Sequence, residues 1–155
     1  MIIKNISIRN FRSYYGENSF DISNGLTLII GDNGDGKTTF FEALQWLFNT
    51  TVETPNIENF SEMRKSELEI GEMDHVVVSM TFDHDGIKTI EKSFVVECYA
   101  SDRYRAVRQE FMGFEEKDSG RAPVDGKTLV LRCFDAFIQK FSMFKGESDL
   151  NVFND

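Results

Sequence analysis

Cysteine, histidine and long apolar runs are scarce in this chain, and each scarcity closes off a class of protein. There are two cysteines and two histidines. Cys98 and Cys133 stand apart, without the Cys-x-x-Cys spacing of a redox or zinc site, so both read as reduced thiols with no metal or redox role. His75 and His84 have no partner at metal-ligand spacing and read as surface residues. No apolar stretch reaches the ~18 residues of a membrane-crossing helix. Met1-Ile2-Ile3-Lys4-Asn5 lacks the charged-then-apolar layout of a secretory signal, so a cytoplasmic location without membrane association is expected. Basic residues are also in deficit, with 17 Lys and Arg against 26 Asp and Glu and a net charge of −9. That argues against a nucleic-acid footprint over the whole surface. Local basic patches remain open. Arg103, Arg105 and Arg108 form one cluster and Arg64 with Lys65 another, each read first as a solvated face.

What is present is a globular composition and one highly informative motif. With 155 residues, 41% apolar residues and fifteen Phe, the chain can bury a real core, and residues 1–155 read as a single domain. Gly31-Asp32-Asn33-Gly34-Asp35-Gly36-Lys37-Thr38-Thr39 fits the phosphate-binding pattern G-x-x-x-x-G-K-[ST]. Before it, residues 26–30 are apolar and rich in β-branched side chains, which predicts a buried strand. After it, residues 38–48 run without Gly or Pro, which predicts a helix buried against a sheet. Strand, glycine loop and helix is the context the motif needs.

The residue types explain the chemistry. Gly31, Gly34 and Gly36 let backbone N–H groups approach a phosphate closely. The helix beginning near Lys37 directs its unpaired N–H groups and positive dipole end at the same anion. Lys37 supplies an ammonium for the β- and γ-phosphates, Thr38 a hard oxygen ligand for Mg²⁺, and Thr39 a donor for the α-phosphate. Asp35 departs from the usual small residue before the last glycine. It adds a negative charge beside a polyphosphate and modulates binding, while its backbone N–H is unaffected.

Elsewhere, Ile3, Ile6 and Ile8 predict a first strand ending near Arg9, residues 10–16 a turn, and residues 19–22 a second short strand. Residues 50–72 read as a loop with one short helix. Residues 76–82 and 88–97 form the arms of a hairpin closed by Asp83-His84-Asp85-Gly86. A third antiparallel strand is expected over residues 104–114, then a polar loop, an ordered start at 129–131 and a helix over 134–141. A complete ATPase of this type also needs an acidic residue ending a second buried strand. Residues 128–135 are a poor candidate, because Arg132 interrupts the run and Ala136 follows Asp135.

The chain resembles the N-terminal part of the SMC–RecF–SbcC group of ABC-type ATPases, including the related heads of bacterial DNA-defence systems. The opening Ile6-Ser7-Ile8-Arg9-Asn10-Phe11-Arg12-Ser13-Tyr14 is similar to that family's first strand and turn. Residues 31–44 are similar to its phosphate loop and helix, and Phe144-Lys145-Gly146-Glu147-Ser148-Asp149-Leu150 to its Q-loop region. The resemblance implies an α/β P-loop NTPase fold, ABC-ATPase-like, as an N-terminal lobe with an antiparallel β-subdomain packed on the phosphate-loop helix and core strands. It implies ATP and Mg²⁺ as cofactors. Arg12 would reach the nucleotide phosphates, Asn33, Gly34, Asp35, Gly36 and Lys37 would cradle the β-phosphate, Thr38 would hold Mg²⁺, and Thr39 would bind the α-phosphate. Glu42 matches a family position whose role here is to hold Arg9 or Arg12. Lys145 stands where the family has a Gln at the metal. A lysine offers no acceptor there, so a γ-phosphate contact is expected instead. The implied partners are a C-terminal lobe or second subunit carrying the signature motif and catalytic Glu, a coiled coil, a second head, DNA, and a nuclease. Catalytic residues are expected outside this lobe. Two other functions stay open: a small self-contained P-loop NTPase or nucleoside/phosphate kinase, with Arg103, Arg105 and Arg108 as its only lid candidates, and a module that uses ATP only to dimerise.

Overall fold

The computed structural model describes residues 2–22, 37–49, 54–83 and 86–112. Among them are five strands and two α-helices: β1 (Ile2–Phe11), β2 (Tyr14–Asp21), α1 (Lys37–Phe48), α2 (Glu62–Glu67), β3 (Met73–Asp83), β4 (Ile87–Ala100) and β5 (Arg103–Met112), with a 3-10 turn at Ile57–Asn59. The strands form one sheet in the order β2-β1-β3-β4-β5, each neighbouring pair antiparallel.

One face of this sheet is the core. Along β3, Val76, Val78, Met80 and Phe82 are buried, and along β4 so are Ile90, Phe94, Val96 and Cys98, each alternating with more exposed neighbours. This is the period-two pattern of a sheet covered on one side. Helix α1 contributes Phe40, Phe41, Ala43, Leu44, Leu47 and Phe48 to the same core. Aromatic contacts fasten it to the strands: Phe40 to Phe20 at 5.5 Å, and Trp46 to Phe11 at 5.8 Å and to Phe94 at 5.7 Å. Each such side chain removed from water is worth about 1.5–3 kcal/mol, so burial rather than helix propensity holds α1 in place.

The expected hairpin is present, with longer arms than the apolar pattern indicated. β3 and β4 extend to Met73 and Ala100 because backbone pairing continues where the side chains become polar. At its closure Gly86 has φ 120°, a conformation that favours glycine, and its N–H donates to Asp83 Oδ1 at 3.2 Å.

Two expectations need correction. The turn predicted over residues 10–16 narrows to Arg12 and Ser13, and β2 begins at Tyr14 rather than Ser19. The reversal is this tight because Asn10 (φ 53°) and Arg12 (φ 51°) both take left-handed conformations. Asn10 tolerates this because its buried amide is satisfied: Nδ2 donates to the His75 carbonyl at 3.1 Å, and Oδ1 accepts from the Gly16 N–H at 2.9 Å. Second, the predicted 50–72 loop has its expected short helix, α2, but its described part also holds core residues. Phe60 is fully buried and bridges to Phe11, and Leu68 is buried as well. Isolated apolar residues in a polar stretch carry no periodicity to read. The expected third antiparallel strand is present as β5, which pairs with β4 and shifts register beside Arg108, at φ 56°; residues 113 and 114 lie outside the described residues. Residues 26–30, 128–135 and the expected helix at 134–141 lie outside the described residues.

Candidate nucleotide-binding site

Helix α1 opens at Lys37, so the glycine-rich stretch leads directly into a helix N-terminus, as its chemistry requires. Thr38 and Thr39 sit half-buried in the first turn, which contains no acidic side chain. The unpaired N–H groups and the positive dipole end are therefore not neutralised from within the turn. Asn33, Gly34, Asp35, Gly36 and Lys145 lie outside the described residues, as does the side chain of Lys37.

Arg12 is the sequence-predicted residue that the fold brings to this helix. Its Nη1 pairs with Oε2 of Glu42 on α1. Its Nε and Nη2 donate to Asn59 Oδ1 at 3.1 and 3.0 Å, and its backbone N–H donates to the Asn59 carbonyl at 2.9 Å. Its guanidinium carbon lies 5.3 Å from the centre of the Phe11 ring. Glu42 is one helical turn beyond Thr38, and Thr39 and Glu42 share a helix face, so Arg12 is held on α1 about one turn from the first-turn threonines. Of the two arginines that Glu42 was expected to hold, it holds Arg12.

Arg9 is used differently. Its Nη2 donates to Asp74 Oδ1 at 3.0 Å and its Nη1 to Glu17 at 3.1 Å. Arg64 donates to the other Asp74 oxygen at 2.6 Å. Burial alone would raise the Asp74 pKa. The hydrogen bonds from Arg64, the His75 N–H and Arg9 outweigh that penalty and hold it below the usual carboxylate range. This network ties β1, α2 and β3 together around the Arg12 turn. At the far end of α1, Lys92 donates to the carbonyls of Trp46 at 2.9 Å and Asn49 at 2.7 Å, and its ammonium lies 4.8 Å from the Trp46 ring centre. Burial lowers its pKa to about 8, so it is mostly protonated at neutral pH and complements the negative end of the helix dipole.

Asn59, Asp74 and Lys92 were not singled out by sequence reasoning. Arg12 lies 47 residues from Asn59, Arg9 and Arg64 lie 65 and 10 residues from Asp74, and the carbonyls that Lys92 holds lie 43 to 46 residues away, so no helical or strand spacing marks them. The Arg103, Arg105 and Arg108 cluster is not joined to the site. Arg105 pairs with Glu97 at 2.8 Å and stacks on Tyr99, and among the described residues no hydrogen bond or ion pair links the three to Arg12, Thr38 or Thr39. Cys98 is a buried thiol whose Sγ donates to the Ala100 carbonyl at 3.2 Å, and His75 is exposed; Cys133 and His84 lie outside the described residues. Among the described residues no helix is long and apolar enough to cross a membrane.

The AAA domain family AAA_23 matches residues 5–152. The DNA double-strand break repair Rad50 ATPase of Methanococcus maripaludis is 38% identical over 102 residues, which is 61% of this chain and 10% of that protein. The DNA replication and repair protein RecF of Tropheryma whipplei is 48% identical over 46 residues, 30% of this chain and 12% of the relative. Among solved structures, one from a study of ATP-driven dimerisation and DNA-stimulated activation of SMC ATPases superposes with a TM-score of 0.51 at 15% identity, covering 100% of this chain and 98% of the other. The SMC head domain from Thermotoga maritima gives 0.50 at 18% identity, covering 85% of this chain and 42% of that one. At such identities these structures speak to the fold, which is the α/β arrangement of a P-loop ATPase N-terminal lobe. A match running across nearly the whole chain shows the family: this chain belongs to the AAA domain family, as an SMC- and RecF-like N-terminal lobe of an ABC-type ATPase.

Proposed function

We propose that the chain is the ATP-binding lobe of a DNA-associated ATPase head and that a second lobe completes hydrolysis. Residues 1–155 act as one nucleotide-binding lobe. Asn33, Gly34, Asp35, Gly36 and Lys37 cradle the β-phosphate, Thr39 binds the α-phosphate, Arg12 reaches the phosphates from the side, and Lys145 contacts the γ-phosphate. The observation that carries this reading is the placement of Arg12 against the phosphate-loop helix, a turn from Thr38, by Glu42 and Asn59.

The donor set suits Mg²⁺. Thr38 offers a hard hydroxyl oxygen at a helix N-terminus and would hold the ion there. Bound Mg²⁺ neutralises charge on the β- and γ-phosphates. The chain's own residues bind and orient the triphosphate. The group that directs the attacking water comes from the other lobe. In the assembled protein two heads close on ATP and act on DNA, a reading supported by the Rad50, RecF and SMC relatives.

Steady-state phosphate release tests the division of labour. Preorganised transition-state groups supply most of an ATPase rate, so the isolated chain is expected to turn over Mg-ATP negligibly. Turnover near ~1 s⁻¹, the low end of the usual enzyme range, would contradict a half-site.

A further inference from the structure

Asn59 holds both ends of one residue. Its carbonyl accepts from the Arg12 backbone N–H at 2.9 Å, and its side-chain oxygen accepts from Nε and Nη2 of the Arg12 guanidinium. Arg12 sits at φ 51°, a conformation that non-glycine residues rarely adopt, so its backbone needs an external anchor. The contacts on either side provide the frame. The Ser61 N–H donates to the Asn10 carbonyl at 2.9 Å, and Phe60 bridges to Phe11. Asn59 itself is 6% exposed, so its amide is packed in place and is not free to swing.

We infer that Asn59 is the positioning residue for Arg12, fixing the guanidinium against Glu42 of α1, one turn from Thr38, so that its remaining N–H groups are set for a nucleotide phosphate. This rests on the function proposed above. An unrestrained arginine loses rotamer freedom when it binds an anion, and a guanidinium already held by Asn59 and Glu42 has lost it in advance. The amide matters as well as the geometry. A neutral acceptor orients the guanidinium without cancelling its charge, and Glu42 already supplies one carboxylate. A second carboxylate at position 59 would enclose one positive charge with two negative ones and repel a polyphosphate.

The test is a calorimetric titration of the 155-residue chain with Mg-ATP, together with thermal melts, for wild type, Asn59→Ala, Asn59→Asp, Arg12→Ala and the Asn59→Ala/Arg12→Ala pair. Asn59→Ala is expected to weaken binding about fivefold to twentyfold, as loss of charge-assisted contacts does. The double variant should bind no more weakly than Arg12→Ala alone, because Asn59 acts through Arg12. Asn59→Asp keeps the acceptor and forms an ion pair, so its melting temperature should hold or rise while its affinity falls. If Asn59→Ala does not fold, Asn59→Ser takes its place in both the single and the double variant. Unchanged affinity in the folded Asn59→Ala or Asn59→Ser, or additive losses in the double variant, would overturn the positioning role and leave the function standing. A wild-type chain that does not bind Mg-ATP would overturn both.

Discussion

Asp74 accepts from Arg9 on one oxygen and from Arg64 on the other while its side chain is only 9% exposed. At this scale the fold depends on a carboxylate staying ionised. The folded-state pKa lies below the unfolded value. Its contribution is therefore complete above the unfolded pKa of ~4 and is lost as pH falls through the folded pKa. Asp74→Asn removes that charge from between two arginines, leaving both cations without their main partner. Because the arginines are partly exposed, water offsets some of the loss, and a cost of about 2–3 kcal/mol at neutral pH is expected. Urea unfolding of the two proteins from pH 7 down to 2 checks this. The gap between them should shrink toward the acid end, and a constant gap would exclude Asp74 ionisation as its source.

The phosphate-loop helix is the element on which the site depends, and it is anchored at both ends by distant residues. Arg12 reaches it near the start, and Lys92 caps its end through the carbonyls of Trp46 and Asn49. Lys92→Met would remove the ammonium donor from both carbonyls, at about 1–3 kcal/mol. The pH dependence has a definite sign. Burial depresses the folded pKa of Lys92 to about 8, below the ordinary lysine value of 10.5, so between those values the unfolded chain binds more protons and stability from this group rises with pH. The margin of wild type over Lys92→Met should therefore widen from pH 8 toward 10 in chemical denaturation. A narrowing margin would mean that the ammonium, not the amine, is the form the fold prefers.

The same helix shows what was legible in sequence. Its existence, its burial and its place after a phosphate loop followed from residues 31–48, because glycine spacing, a helix without breakers and a continuous apolar surface are local signals. The β3–β4 hairpin was legible for the same reason. The Asn10–Arg12 reversal was not, because nothing local announces that an asparagine amide will find the His75 carbonyl and so permit a left-handed backbone. The pairing of Arg12 with Asn59 and Glu42 also forms only once β1, the 3-10 turn and α1 have converged. Arg12 could be named from its motif, but its holder could not.

At the scale of the whole molecule, a chain of net charge −9 is proposed to bind a polyanion. The global field opposes this, and much of the basic complement is already committed, with Arg9, Arg64 and Arg105 in ion pairs. Binding must then come from local organisation: a helix N-terminus without first-turn acids, the Thr38 and Thr39 hydroxyls, Lys37, and an arginine held beside them. The most direct measurement is the dissociation constant of Mg-ATP for the 155-residue chain and for Lys37→Ala by calorimetric titration. One saturable site is expected for wild type, with a dissociation constant between ~10 μM and ~1 mM, and no measurable binding for Lys37→Ala. No binding by wild type at millimolar Mg-ATP, or equal binding by the two proteins, would contradict it.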